Sequence, residues 1–112
     1  MITLFSYGTL RQPEVQRANY GRLLDGEPDA LTGYVLAPVA IDDPHVVDVS
    51  GKAVHTIARR SGNPADRIAG IVFVITEAEI QATDAYETSA YSRVEATLES
   101  GRTAWVYVGQ PL

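Results

Sequence analysis

Apolar positions fall in short blocks along this chain, and most blocks are bounded by glycine, proline or charged residues. Ile2 to Ser6 reads as a buried strand. Pro13 suits the first position of a helix, where its missing N–H costs nothing, and Glu14 complements the helix dipole. Val15 and Ala18, with Asn19 or Leu23 beyond them, make a weak apolar stripe that Gly21 can stop. The opening pattern is therefore strand, turn, short helix. Asp25-Gly26-Glu27-Pro28-Asp29 has the composition of a turn. Leu31 to Ala37 predicts a strand with Gly33 inside it, and a strand glycine marks a bulge or a close backbone approach. Pro38 to Pro44 reads as a loop, Val46 to Val49 as a short strand, Ser50-Gly51-Lys52 as a turn, and Ala53 to Ala58 as a further strand.

The most polar segment, Arg59 to Arg67, reads as a surface loop. Ile68 to Ile75 (IAGIVFVI) is the strongest strand signal, and its lack of alternation predicts burial on both faces. Thr76 and Glu79 form a capping box for a helix running through Ile80 and Asp84 to about Tyr86. Tyr91 to Leu98 and Thr103 to Val108 flank Glu99-Ser100-Gly101-Arg102 and predict a closing hairpin. This order is not a repeating βαβ pattern. Many strands with two short helices predict a mixed α+β domain, in which a curved, barrel-like sheet manages the edge strands. No internal repeat interrupts it, and the whole of residues 1–112 suits one domain.

Composition narrows the classes of function. A hydrophobic fraction of 46% supplies one core. A net charge of −5 argues against non-specific nucleic-acid binding and against docking on an anionic membrane. The chain has no cysteine, which removes a disulfide framework, a thiolate nucleophile and a Cys-ligated zinc. Met1 to Phe5 lacks the character of a signal peptide, and no apolar run approaches the ~18 residues of a membrane span. A soluble, cytoplasmic protein is the expectation; oligomeric state is left open.

His45 and His55 lack HExxH or paired-ligand spacing. There is no GxSxG elbow, P-loop or GxGxxG. No metal or cofactor is expected. A turn and an acid remain. In Phe5-Ser6-Tyr7-Gly8-Thr9-Leu10-Arg11, Gly8 has no Cβ and lets the backbone approach a ligand. If the amides of Gly8, Thr9 and Leu10 converge, they form a nest for a carboxylate or oxyanion; otherwise this is a plain β-to-α turn with Tyr7 in the core. Glu87 falls where the capped helix ends, near Tyr86 and Tyr91. Aromatic surroundings raise a carboxyl pKa toward that of a general base; the alternative is a solvated glutamate in a loop. Arg93 has Asp84 and Glu87 as possible partners, or faces solvent. Trp105 and Tyr107 read as packing residues, one of them a candidate for lining a pocket. Asp42 and Asp43 are a weaker paired-carboxylate candidate.

Together the two motifs resemble the gamma-glutamyl cyclotransferase-like family. LFSYGTLR resembles its hydrophobic-YG[ST]L-[KR] signature, in the short form of the bacterial and gamma-glutamylamine cyclotransferase-like branch. Gly70 to Ile75, Thr83 to Thr88 and Tyr91-Ser92-Arg93 resemble its strand, LDxxEG and Y-x-R elements, with Thr83 where Leu is usual and Thr88 where Gly is usual. The resemblance implies a small α+β fold around a barrel-like sheet with a cavity at one side. It implies that Tyr7, Gly8, Thr9 and Leu10 form the substrate loop and that Glu87 is the catalytic acid/base. Tyr91 and Arg93 become second-tier pocket residues. The implied reaction is intramolecular: the α-amine of a γ-glutamyl amine or amino acid attacks its own γ-carbonyl, releasing 5-oxoproline and an amine. No cofactor is involved, and the partner is the small γ-glutamyl molecule. The rival reading is a non-catalytic module that binds a carboxylate or amino-acid derivative on the same scaffold; a plain interaction protein working through its loops is a further one.

Overall fold

The computed structural model describes residues 1–40, 54–87 and 91–109. In chain order these form β1 (Ile2–Ser6), a 3-10 turn (Thr9–Arg11), α1 (Pro13–Tyr20), β2 (Gly26–Thr32), β3 (Tyr34–Ala40) and β4 (Val54–Arg60). Then come β5 (Arg67–Ile75), α2 (Glu77–Tyr86), β6 (Tyr91–Thr97) and β7 (Thr103–Gly109). The strands make one mixed sheet in the order β2-β5-β1-β7-β4-β3, with β6 also paired to β7. β1 runs antiparallel to β5 and parallel to β7, where Leu4 faces Trp105. β4 meets β7 in parallel at Ala58 and Val108, and β6 follows β7 antiparallel from Tyr91↔Gly109 to Thr97↔Thr103.

β2 and β3 stand at opposite ends of this order although only Gly33 separates them. Gly33 has a positive φ of 80°, which an L side chain resists. Its amide donates to the Asp66 carbonyl and its carbonyl accepts from the Ser61 amide, both at 2.9 Å. The sheet thus curls until its two ends meet at this corner, without closing. The single strand expected over Leu31 to Ala37 is therefore two strands.

The stretch Asp25 to Asp29, expected to be a turn, largely belongs to β2, which pairs with β5 from Gly26↔Phe73 to Thr32↔Arg67. Its turn-forming residues serve an edge strand. Pro28 lacks a ladder donor that an edge can spare. A Cβ on Gly26 would come within 2.4 Å of the Ile71 side chain.

The capping box forms as expected: Glu79 N–H donates to Thr76 Oγ1 at 3.1 Å, and Thr76 N–H donates to Glu79 Oε1 at 2.9 Å. β4 extends to Arg60, so the polar loop after it shortens to residues 61–66. The loop expected from Pro38 starts later, because β3 continues to Ala40. The expected Val46–Val49 strand, the turn after it, and Asp42, Asp43 and His45 lie outside the described residues.

Two cores flank the sheet. Phe5, Tyr7, Leu31, Ile68, Val72 and Val106 fill the concave side. Leu4, Val15, Phe73, Ile75, Ile80 and Tyr107 fill the side beneath the helices. Neighbouring β1 residues Leu4 and Phe5 enter opposite cores, as the two-residue period of a strand requires. β5 is not buried throughout on both faces: Val72 and Phe73 are covered from opposite sides, but Val74 is 50% exposed.

Candidate active site

β1 delivers the turn, and the end of α2 delivers the acid. Tyr7 is buried, and its hydroxyl donates to the Tyr107 carbonyl at 2.5 Å and accepts from the Ala58 amide at 2.8 Å. The phenol therefore bridges β4 and β7, and burial pushes its pKa well above the ordinary value. Gly8 has φ −124°, which any residue adopts, and a Cβ there would meet no atom of the described residues within 4 Å apart from its chain neighbours. Beyond it the chain closes a 3-10 turn, with Arg11 N–H donating to the Gly8 carbonyl at 3.2 Å and Gln12 N–H to the Thr9 carbonyl at 2.9 Å. The opening amides of such a turn have no carbonyl to reach back to. Those of Thr9 and Leu10 have no acceptor among the described residues. The Leu10 carbonyl is held by Gln16 Nε2 at 2.9 Å, while Gln16 Oε1 takes the Leu24 amide at 2.9 Å.

Glu87 is the C-cap of α2, its amide donating to the Thr83 carbonyl at 3.0 Å. Among the described residues no donor reaches its carboxylate. Burial first, and the Asp84 charge second, push its pKa from 4.5 up to about 8. Asp84, one turn earlier, accepts from the Tyr107 hydroxyl at 2.6 Å and from Arg93 Nε and Nη2 at 2.8 and 3.0 Å. A buried hydrogen bond of 2.8 Å joins the Thr9 and Tyr86 hydroxyls. Tyr86 directly precedes Glu87, so this bond ties the turn to the acid.

A cavity of about 520 Å3 lies between them. Tyr7, Gly8, Thr9 and Leu10 line it from the turn, Glu87 from the end of α2, and Tyr91 from the start of β6. Its volume suits a small organic molecule. Arg93, the remaining expected site residue, does not line it; its guanidinium stacks on Trp105, 4.5 Å from the ring centroid. Of the two aromatic residues read as packing, Tyr107 lines the cavity and Trp105 does not. Arg11 also lines it, and Tyr86 anchors Thr9; neither was singled out by the sequence. Arg11 sits at the basic position of the YGTL-type signature, which was its available signal. Nothing in the spacing indicates which residue meets Thr9.

No group of three His, Cys, Asp or Glu side chains among the described residues is placed to hold a metal ion. No helix among them is long and apolar enough to cross a membrane.

The description "Gamma-glutamyl cyclotransferase, AIG2-like" belongs to a family model that matches residues 4–111. No curated protein matches the sequence. The fold is similar to a solution structure of an Arabidopsis thaliana protein, with TM-score 0.71 and 18% identity over 96% of this chain and 68% of that one. It is similar to an uncharacterized protein from Pyrococcus horikoshii, with TM-score 0.68 and 16% identity over 100% and 80% of the two chains. A structure named gamma-glutamyl cyclotransferase aligns with TM-score 0.73 and 13% identity, over 97% of this chain and 66% of that one.

Proposed function

Because this chain belongs to the gamma-glutamyl cyclotransferase, AIG2-like family, we propose that its cavity binds a γ-glutamyl amine or γ-glutamyl amino acid and releases 5-oxoproline from it. One juxtaposition carries this reading. Glu87, an acid with a pKa near 8 and no donor among the described residues, shares a cavity with the Tyr7–Leu10 turn and its unmatched amides.

The substrate α-amine is an ammonium in water and carries no lone pair to attack with. Ionised Glu87 takes one of its protons. A base whose pKa lies near that of its proton donor makes this transfer close to balanced. The freed amine attacks the γ-carbonyl of the same molecule, a five-membered ring closes, and the carbonyl oxygen gains negative charge. The Thr9 and Leu10 amides supply donors for that oxygen or for the α-carboxylate. As the C–N bond to the departing amine breaks and the carbonyl re-forms, Glu87 returns its proton to the leaving nitrogen. The ring nitrogen, which still carries two hydrogens, then gives its second proton to the regenerated carboxylate, which passes it to the released amine, and a neutral lactam is left. Nucleophile and carbonyl belong to one molecule, so holding the folded conformer supplies much of the acceleration.

The test is 5-oxoproline release from a panel of γ-glutamyl amines, γ-glutamyl dipeptides and glutathione. Release is expected to rise with pH toward about 8 as Glu87 ionises. Glu87→Gln is expected to lose at least ~100-fold in kcat while keeping its fold by circular dichroism. A Glu87→Gln variant that turns over at the wild-type rate sinks the mechanism. Binding of a panel member without any release supports the binding-module reading instead.

A further inference from the structure

The polar groups around the cavity divide into those already engaged and those still available. The Tyr7 hydroxyl is saturated by the Tyr107 carbonyl and the Ala58 amide. The Thr9 hydroxyl is engaged with Tyr86, and the Tyr107 hydroxyl with Asp84. The Thr9 and Leu10 amides, Glu87, the neutral Gln12 carboxamide and Arg11 remain.

Arg11 is the sole cation among the described cavity-lining residues. Its Nε donates to the Gly8 carbonyl at 3.1 Å, which ties the guanidinium to the same turn. The two terminal nitrogens have no acceptor among the described residues. Arg22, Arg67, Arg93 and Arg102, by contrast, each hold a carboxylate within 3.0 Å. An arginine fixed by one nitrogen and left with its terminal nitrogens unmatched is suited to take a planar carboxylate.

We infer that Arg11 is a specificity-determining residue that receives a carboxylate on the leaving amine, so that this site prefers γ-glutamyl amino acids to γ-glutamyl amines without that carboxylate. The assignment rests on the cyclotransferase reading and proceeds by elimination. In that reading the headgroup ammonium meets Glu87, and the headgroup α-carboxylate or oxyanion meets the turn amides. The cation one residue further along is left for an anion on the rest of the substrate.

Two substrates differing only in that group provide the test: γ-glutamylalanine and γ-glutamylethylamide, whose leaving amines are alanine and its decarboxylated form. For the wild-type protein the ratio of kcat/KM is expected to favour γ-glutamylalanine by about tenfold at low salt, and less at high salt. In Arg11→Gln the ratio is expected to fall toward one, and in Arg11→Lys to stay between. Arg11 is exposed, so neither substitution disturbs a core. A wild-type ratio near one, or a ratio that survives Arg11→Gln, overturns the inference. So does an equal loss on both substrates, which would place Arg11 on the headgroup. If wild type releases 5-oxoproline from neither compound nor from any other member of the panel, the cyclotransferase reading fails by itself, and calorimetric titration of the same pair decides for Arg11. A binding preference that Arg11→Gln abolishes upholds it; no preference, or no binding, overturns it.

Discussion

At the residue scale the informative group is Glu87. Its carboxyl pKa is raised by desolvation at the closing end of a helix whose last turn contains no basic residue. That placement weakens the fold as the group ionises. The folded protein keeps a proton that the unfolded chain releases near pH 4.5, so the stabilisation is complete below that pH and is lost as pH rises through about 8. Across this window the slope approaches ~1.4 kcal/mol per pH unit. Glu87→Gln cannot ionise. Its stability relative to wild type should therefore increase from pH 5 to pH 8 and then level off, as read by denaturant midpoints at several pH values. Parallel wild-type and variant curves across that range would mean that Glu87 titrates as an ordinary surface acid.

At the element scale, β5 shows why one glycine in an otherwise apolar strand matters. Gly70 faces β1, and a Cβ on it would lie 2.4 Å from the Ser6 carbonyl oxygen and 2.6 Å from the Phe5 ring. The carbonyl belongs to the backbone and cannot step aside, and Phe5 is buried in the concave core. Gly70→Ala should cost about 2 kcal/mol or more, measured by urea unfolding. It should also lower activity, because Phe5 and Ser6 lead directly into the turn. A second element-scale finding concerns the family's usual leucine before Asp84. Thr83 is fully buried there, yet its hydroxyl donates to the Glu79 carbonyl at 2.8 Å and meets the Tyr20 hydroxyl at 2.6 Å. A buried hydroxyl with two partners carries no desolvation penalty of the unpaired kind, and here it links α1 to α2.

At the scale of the whole molecule, the sheet brings β1, α2 and β6 to one cavity because it curls, and Gly33 makes the corner. Apart from its chain neighbours, no described residue has an atom within 4 Å of a Cβ built there, so a substitution meets backbone strain rather than a clash. Gly33→Ala should cost about 1–2 kcal/mol, which lowers Tm by several degrees in a domain of this size. The melting curve should stay cooperative. An unchanged Tm would show that the corner relaxes without cost.

Local signals made much of this protein legible. Thr76 with Glu79, Pro13 with Gly21, and the pair of strands around Glu99–Arg102 each specify an element through neighbouring residues. Nearest-neighbour geometry decides caps and hairpin turns. The turn Tyr7–Leu10 and the acid Glu87 were recognisable as two motifs in a resemblance, and the chain's own composition excluded thiol chemistry. What lay beyond local reading depended on contacts between distant residues. The split at Gly33 and the conversion of Asp25–Asp29 into an edge strand follow from sheet curvature, which no short window contains. Arg93 was expected at the pocket, but pairing with Asp84 and stacking on Trp105 hold it elsewhere. The Thr9–Tyr86 bond spans 77 residues. The sequence by itself determined which residues are chemically able to act. The tertiary structure decided which of them meet, because side-chain proximity across a curled sheet is set by packing on both of its faces and not by spacing along the chain.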